Sequence, residues 1–258
     1  GVVISEDGLI MTNHHVIDNS TQVRVVFEDG KMYECEIIGS DRLTDIGLLK
    51  ISASNLVPIS MGNSEDIKVG DLAVAIGHPL TLGAAPTVTT GIVSALERRL
   101  DVGSENMNSG VTLFGLIQTD APITRGSSGG ALLNSNGELI GITTAIATAD
   151  VGAEGLGFAV PVNLALGIAD DLLKEGRILH AFLGILGAQH FDTADDGARI
   201  FSGVVIQELY GPNNELFAIG KAGAIPGDII KKINGVNVKT LDGLITVLRE
   251  KRAGDTIE

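Results

Sequence analysis

The residues of this chain best suited to chemistry are two serines set among glycines, in Arg125-Gly126-Ser127-Ser128-Gly129-Gly130. A serine hydroxyl attacks a carbonyl only when a base takes its proton and N–H groups hold the oxyanion that develops. Glycines beside it let the backbone turn sharply and aim several N–H groups at one spot, because no Cβ forbids the φ values required. Flexible linkers share this composition, so the segment alone decides little. Two upstream segments supply partners. Thr12-Asn13-His14-His15-Val16-Ile17 places histidine after the apolar strand Gly8-Leu9-Ile10-Met11, and Thr44-Asp45-Ile46-Gly47-Leu48-Leu49 places an aspartate at the mouth of another. An imidazole accepts a serine proton near neutral pH, and a carboxylate on its other nitrogen sets the tautomer and stabilises the imidazolium. A lone histidine after a strand, or a lone aspartate before one, is ordinarily a core or turn residue. Histidine, aspartate and serine in this order, each at a strand edge, read as one triad.

That order is the one found in chymotrypsin-type triads, and it differs from the subtilisin and α/β-hydrolase orders. The chain resembles the HtrA/Deg family of serine proteases, in which a chymotrypsin-like protease domain precedes one or more PDZ domains. The resemblance is carried by Thr12-Asn13-His14-His15-Val16, Thr44-Asp45-Ile46, the pattern Gly-x-Ser-Gly-Gly-x-Leu from Gly126 to Leu132, Gly155-Leu156-Gly157-Phe158-Ala159-Val160-Pro161 and Phe182-Leu183-Gly184-Ile185. It implies that His15 is the general base, Asp45 its orienting carboxylate and Ser128, rather than Ser127, the nucleophile. It also implies that the backbone N–H groups of Gly126 and Ser128 form the oxyanion hole, while His14 falls on a variable position without a role. Three positions depart from the family pattern. Ser127 stands where asparagine is common, Arg125 where proline or another residue is often found, and His78 in Gly77-His78-Pro79 where asparagine is usual. The first two bear on the energetics of the loop that must form the oxyanion hole.

The elements that would position these residues read as short strands. From residue 1 to about 79, apolar runs alternate with turns: Gln22 to Phe27, a hairpin signal at Glu28-Asp29-Gly30, then residues 31–39, 46–51 and 71–77. A second block from about 87 to 161 holds strands at 87–96, 116–119, 131–133 and 138–142, with a turn at Asn134-Ser135-Asn136-Gly137. Evenly spaced short strands suggest barrels or sandwiches. The expectation is a mostly β chain: a double β-barrel protease domain over 1–162, its barrels at about 1–82 and 83–162, with the site in the cleft between them. The polar, turn-rich stretch 98–111 reads as a mobile surface loop. Residues 163–175 break the β pattern, with Leu164, Ile168, Leu172 and Leu173 at helical spacing, Asn163 as N-cap and Gly176 as the stop. This connecting helix is placed at 163–178. Its acidic polar face, with Asp170, Asp171 and Glu175, disfavours a membrane surface.

Residues 179–258 resemble a PDZ domain, truncated at its C-terminal end. Phe182, Leu183, Gly184 and Ile185 match the carboxylate-binding loop, which leads into a strand whose edge accepts a peptide. The core motif is matched by the run from Lys221 to Ile230 followed by Ile233-Asn234-Gly235-Val236, and residues 241–251 read as the helix beside the groove. In the protease domain, Pro122-Ile123-Thr124 offers no acid at the base of a primary pocket, and Ile123, Leu156 and Phe158 read as its apolar walls. This predicts cleavage after small or medium apolar residues, which unfolded proteins expose; Asp120 could modify it, or serve as a turn residue.

Composition agrees with a β-rich enzyme. The chain has 258 residues, 44% of them hydrophobic but only 3% aromatic, so aliphatic side chains must fill its cores, and its 34 glycines suit tight turns. A formal net charge of −14 argues against nucleic-acid binding, which needs clustered Lys and Arg. The one cysteine, Cys35, reads as core filling, and no cofactor or metal is called for. No stretch reaches the roughly 18 apolar residues of a membrane span. The chain opens directly in strand sequence and closes as a strand is beginning, so both ends are expected to be cut. The resemblance implies unfolded-protein substrates, C-terminal peptide partners, homotrimers or multiples of them, roles in protein quality control or envelope-stress signalling, and a periplasmic or extracellular location. Two other functions compete: a catalytically silent peptide-binding PDZ scaffold, and a serine esterase or acyltransferase.

Overall fold

The structure is a computed structural model that describes residues 1–78, 85–102, 110–124, 126–144, 156–211 and 217–258. It divides into two compact units, Gly1–Ile178 and Leu179–Glu258. The first opens with strands β1 (Val2–Val3) and β2 (Leu9–Thr12), the single-turn helix α1 (His14–Ile17), then β3 (Arg24–Val26), β4 (Met32–Asp41) and β5 (Ile46–Ile51). These strands form one antiparallel sheet in the order β1-β2-β5-β4-β3. Its two edge strands, β1 and β3, are not paired with each other among the described residues. Yet Val3 and Val25 pack on the same cluster as Ile10, Leu49 and Ile51, so the sheet curls around one aliphatic core. The β3–β4 turn falls at the anticipated Glu28-Asp29-Gly30, with Gly30 at φ 81°.

The second half of this unit carries β6 (Leu72–Gly77), β7 (Thr87–Val102), β8 (Val111–Thr119), β9 (Ala131–Leu133), β10 (Leu139–Thr144) and β11 (Gly157–Pro161), followed by helix α2 (Val162–Glu175). The six strands close into a barrel in the order β10-β11-β8-β7-β6-β9. Each sends small or aliphatic residues inward, among them Ala73, Ala75, Val93, Ile117, Leu132, Ile140 and Ala159. Alternate residues point outward, as the two-residue repeat of a strand requires. Of these, Leu116, Leu133, Phe158 and Val160 join Met11, Ile46 and Leu48 of the first sheet and Ile168 and Leu172 of α2 in a second core. The barrel therefore has two apolar faces, one filling it and one welding it to the sheet and helix.

Two expectations need correction. The stretch 98–111 is not one loop: β7 runs on to Val102 and β8 begins at Val111, with Leu100 paired to Leu113 and Val102 to Val111. Leu100, Val102 and Val111 pack on the second core, which draws the polar residues between them into strand, while 103–109 lie outside the described residues. In α2 the cap is Pro161 rather than Asn163, and the buried stripe is Val162, Ala165, Ile168, Ala169 and Leu172, leaving Leu173 exposed. Asn163 instead ties the helix start to a loop, accepting from Ser64 N–H at 3.2 Å and donating to Asn63 Oδ1 at 2.7 Å. Gly176 does stop the helix, at φ 66° with its N–H on Leu172 O.

The second unit holds β12 (Ile185–Thr193), β13 (Arg199–Leu209), the short helix α3 (Ala218–Lys221), β14 (Ile229–Ile230), β15 (Lys232–Ile233), β16 (Val236–Asn237) and α4 (Leu241–Arg249). β12, β13 and β14 form one sheet and β15 and β16 another. Thr240 caps α4, its hydroxyl accepting from Gly243 N–H at 3.0 Å. Val204, Ile233, Val238 and Leu244 form the core, joined by Leu183, Ile185 and Leu241. Among the described residues, no helix is long and apolar enough to cross a membrane. Because Ile168 of α2 is fully buried in the core between barrel and sheet, Ile168→Ala is expected to destabilise the first unit by about 2–5 kcal/mol, read as a lower urea midpoint with faster amide exchange in residues 1–178.

Candidate active site

β2 and β5 bring the histidine and aspartate together. They are antiparallel neighbours with Thr12 opposite Gly47, so the chain leaving β2 runs beside the chain entering β5. His15 lies on α1 just past β2 and Asp45 just before β5. The Asp45 carboxylate accepts from the His15 backbone N–H at 3.0 Å, and its two oxygens lie 2.9 and 2.8 Å from His15 Nδ1. A carboxylate can only accept, so Nδ1 carries the hydrogen and the neutral imidazole keeps its lone pair on Nε2.

Asp45 is the more constrained partner. Its side chain is 4% exposed, against 33% for that of His15. Burying a carboxylate is costly unless donors replace water, and the site supplies a further one: Thr144 Oγ1 donates to Asp45 Oδ2 at 3.2 Å. The backbone is held as firmly. Asp45 sits at φ 59°, a left-handed conformation uncommon outside glycine. Its carbonyl accepts from His14 N–H at 3.2 Å and from Asn13 Nδ2 at 3.0 Å. The turn before it is tied by Asp41, whose carboxylate accepts from the N–H and hydroxyl of Thr44 at 3.0 and 2.6 Å. His14 turns away, its Nδ1 2.8 Å from Ser40 Oγ.

Ser128 lies in the turn between β8 and β9, and β10 bolts that turn down. Gly129 N–H donates to Thr143 O at 2.9 Å, Thr143 N–H to Gly130 O at 3.0 Å, and Thr143 Oγ1 to Ser127 O at 2.6 Å. Thr144, the next residue along, holds Asp45. One strand end thus fixes both the serine turn and the carboxylate. The glycines flanking the two serines have positive φ, 95° at Gly126 and 79° at Gly129. A Cβ on Gly129 would overlap the Thr12 hydroxyl and lie 3.4 Å from Asn13 N. The serine turn therefore abuts the segment that leads into His15. Ser127 is buried, and Arg125 lies outside the described residues. His78 is exposed at the end of β6.

The three residues anticipated as walls of one pocket are not brought together. Phe158 is a core residue, 8% exposed, between barrel and sheet. Ile123 packs on the barrel-interior cluster and against Gly157, where a Cβ would lie 2.7 Å from Ile123 Cδ1. The alternation of β11 puts positions 157 and 158 on opposite faces, and Leu156 is exposed. The sequence reading missed Thr143 and Thr144, and a signal for them existed: two hydroxyls, each 1% exposed, closing an otherwise apolar strand. Cys35 is partly buried, its Sγ donating to Val23 O at 3.1 Å, and burial raises its thiol pKa above the ordinary value. In the second unit, Phe182 is exposed and meets the Phe217 ring edge-on at 5.2 Å. Gly184 has φ 76° and its carbonyl accepts from Tyr210 N–H at 2.7 Å. Leu183 and Ile185 pack on the core beside Leu241 of α4. Among the described residues, no cluster of His, Cys, Asp or Glu could hold a metal ion.

A chymotrypsin-like arrangement of curled sheet, barrel and a histidine resting on a buried aspartate is the frame of a trypsin-like peptidase, and residues 1–142 match the model of the trypsin-like peptidase domain. The chain is 39% identical over 248 residues to the periplasmic serine endoprotease DegP of Escherichia coli (strain K12), covering 95% of this chain and 50% of that protein. It is 39% identical over 239 residues to the serine endoprotease DegS of Haemophilus influenzae, covering 91% and 64%. The solved structure of the HtrA-type protease AlgW with a tripeptide matches with a TM-score of 0.75 at 32% identity, over 99% of this chain and 81% of that one. The chain thus belongs to the HtrA/Deg family of trypsin-like peptidases, and it spans about half the length of the curated DegP relatives it matches. Gly129→Ala would demand both a strained φ and the space of the Thr12 hydroxyl. It is expected to destabilise the first unit by about 1–3 kcal/mol and to displace residues 126–130, seen as lower Tm and faster amide exchange in that turn.

Proposed function

We propose that the chain is a serine endopeptidase of the HtrA/Deg type. The observation that carries this reading is the buried Asp45 carboxylate on His15 Nδ1, strapped by Thr144 to the strand that bolts down the Ser128 turn. In this reading Ser128 attacks the scissile carbonyl while His15 Nε2 takes its proton. The amides of Gly126 and Ser128 hold the oxyanion, and His15 returns the proton to the leaving amine. Asp45 keeps the imidazole in the tautomer this needs and stabilises the imidazolium. Residues 1–162 act as the protease domain and 163–178 as its connecting helix. Substrates are unfolded or exposed polypeptides cut after small or medium apolar residues, with Ile123 beside Gly157 as one apolar wall of the primary pocket. A periplasmic location would match the name of the DegP relative, and the assembly proposed is a homotrimer or a multiple of it.

The test is labelling by a fluorophosphonate probe together with cleavage of an unfolded protein and of a peptide library varied before the scissile bond. Wild type is expected to label and to cut after apolar residues, while Ser128→Ala does neither. Asp45→Asn, which presents the wrong hydrogen-bonding partner to Nδ1, is expected to lower kcat by about 10⁴. Labelling without peptide cleavage would instead indicate an esterase, and preferred cleavage after Lys or Arg would sink the pocket assignment.

Residues 179–258 are proposed to act as a PDZ domain that binds C-terminal peptides and so recruits substrate or regulates turnover. What supports this is that β12 pairs with β13 alone among the described residues, leaving an edge beside α4. The turn 182–185 leads into that edge. A peptide adding as a strand there would gain main-chain hydrogen bonds, with convergent N–H groups at 182–185 for its carboxylate. Peptides with an apolar C-terminal residue and a free carboxylate are expected to bind in calorimetry. Amidation of that carboxylate is expected to weaken binding at least tenfold, and equal binding of the two forms would overturn the assignment.

A further inference from the structure

The segment that leads from β8 into the serine turn leaves the sheet at a defined place and is nonetheless tied to it. β8 ends at Thr119, which pairs with Val93 of β7. Beyond that point β7 runs from Ile92 back to Thr87 with no strand partner among the described residues on the side away from β6. The chain there is Asp120-Ala121-Pro122, and Pro122 has no N–H to contribute to a ladder. Two side chains take over. Asp120 Oδ1 accepts from Ile92 N–H at 2.7 Å, and Thr89 Oγ1 donates to Pro122 O at 2.9 Å. Gly91 lies between them and permits the approach. A Cβ there would overlap the Asp120 carboxylate and Ala121 N, and would sit 2.8 Å from Ala121 Cα.

Side-chain packing anchors only part of this segment. A cavity of ≈ 80 Å³ lies at the back of the segment, bordered by Gly77, Thr87, Thr89, Pro122, Thr124 and Ser127. Ala121 and Ile123 pack on the barrel interior, whereas Pro122 and Thr124 border this cavity. On the other side, Ser127 N–H donates to Thr124 O at 2.9 Å, so a shift of Pro122 is passed through one tight turn to the residue before Ser128.

We propose that Thr89 and Asp120 are positioning residues for the serine turn: a two-bond strap from β7 that sets where the chain enters the turn carrying Ser128. This rests on the reading of Ser128 as nucleophile. It also gives Asp120 an assignment, as a hydrogen-bond acceptor for a backbone amide rather than a charge that selects substrate. Reaction geometry is steep enough for this to be measurable, since a misplacement of about 1 Å can cost on the order of 10²-fold in rate.

The experiment compares Thr89→Val with Thr89→Ser, and Asp120→Ala with Asp120→Asn, in the full chain. Val keeps the shape of threonine and loses the donor, whereas Ser keeps the donor. Asn keeps an oxygen acceptor and loses the charge. Fluorophosphonate labelling of Ser128 and kcat on a short peptide are expected to fall about three- to tenfold for Thr89→Val and Asp120→Ala. KM is expected to change less than twofold, and Thr89→Ser and Asp120→Asn are expected to stay near wild type. Amide exchange over residues 121–128 should quicken in Thr89→Val, and this readout is independent of activity. Wild-type labelling and exchange in both bond-deleting variants would overturn the proposal. So would a loss in Asp120→Asn equal to that in Asp120→Ala, or a change in the residues preferred before the scissile bond in Asp120→Asn. Should Asp120→Ala fail to fold, the Thr89 pair decides. If wild type itself does not label, the nucleophile reading falls, and the exchange measurement alone decides whether the strap holds the turn.

Discussion

One buried charge organises this molecule. The Asp45 carboxylate is almost wholly removed from water, and such a group is tolerated only when donors surround it. Meeting that demand engages two separate parts of the chain, the start of α1 and the end of β10. The first turn of α1 offers the backbone N–H and Nδ1 of His15, β10 offers the Thr144 hydroxyl, and Asn13 and His14 hold the Asp45 carbonyl. The left-handed φ of Asp45 is a strain of order 1–3 kcal/mol that persists because these bonds over-determine it. An aspartate so held cannot drift, and neither can the imidazole resting on it.

The serine turn is held on different terms. It contributes no large apolar side chain; its order comes from backbone hydrogen bonds to β10, from Gly129 fitting against Thr12, and from the strap to β7. Shape and hydrogen bonding replace burial where the reacting group must remain accessible. The cores show the complementary economy. With few aromatics, the barrel is filled by alanine, valine, isoleucine and leucine from all six strands. Its outer face is aliphatic as well, apart from Phe158, where it meets the sheet and α2. Small side chains on both faces let strands and helix approach closely, and close packing limits the motion of strand ends that carry polar groups.

Much of this could be read from the residues. The strands at 46–51 and 131–133, the turns at Gly30 and Gly137 and the helix stop at Gly176 each follow from local chemistry: alternation of apolar residues, or a glycine where φ must be positive. The β7 extension to Val102 was illegible for the opposite reason. Its residues are polar by composition and become strand only because Leu100 and Val102 find the second core across the unit. Asn163 likewise looked like a cap from its neighbours, and a loop a hundred residues upstream claimed its side chain instead.

Of the candidate site, the sequence alone determined the reacting types. His15, Asp45 and Ser128 follow one another in the order of a chymotrypsin-type triad, and the two serines lie between glycines at positive φ. The tertiary structure decided how they are held. That Thr143 and Thr144 clamp the turn and the carboxylate depends on the closure of a six-stranded barrel. So does the strap of Thr89 and Asp120 on the chain entering the turn. The barrel also put Ile123 and Phe158 on opposite sides of one strand. Residue type and near-neighbour spacing are local properties, and a sequence displays them. Partners such as Asp45 and Thr144, 99 positions apart, are chosen by strand register and closure, which exist only once the whole sheet has formed.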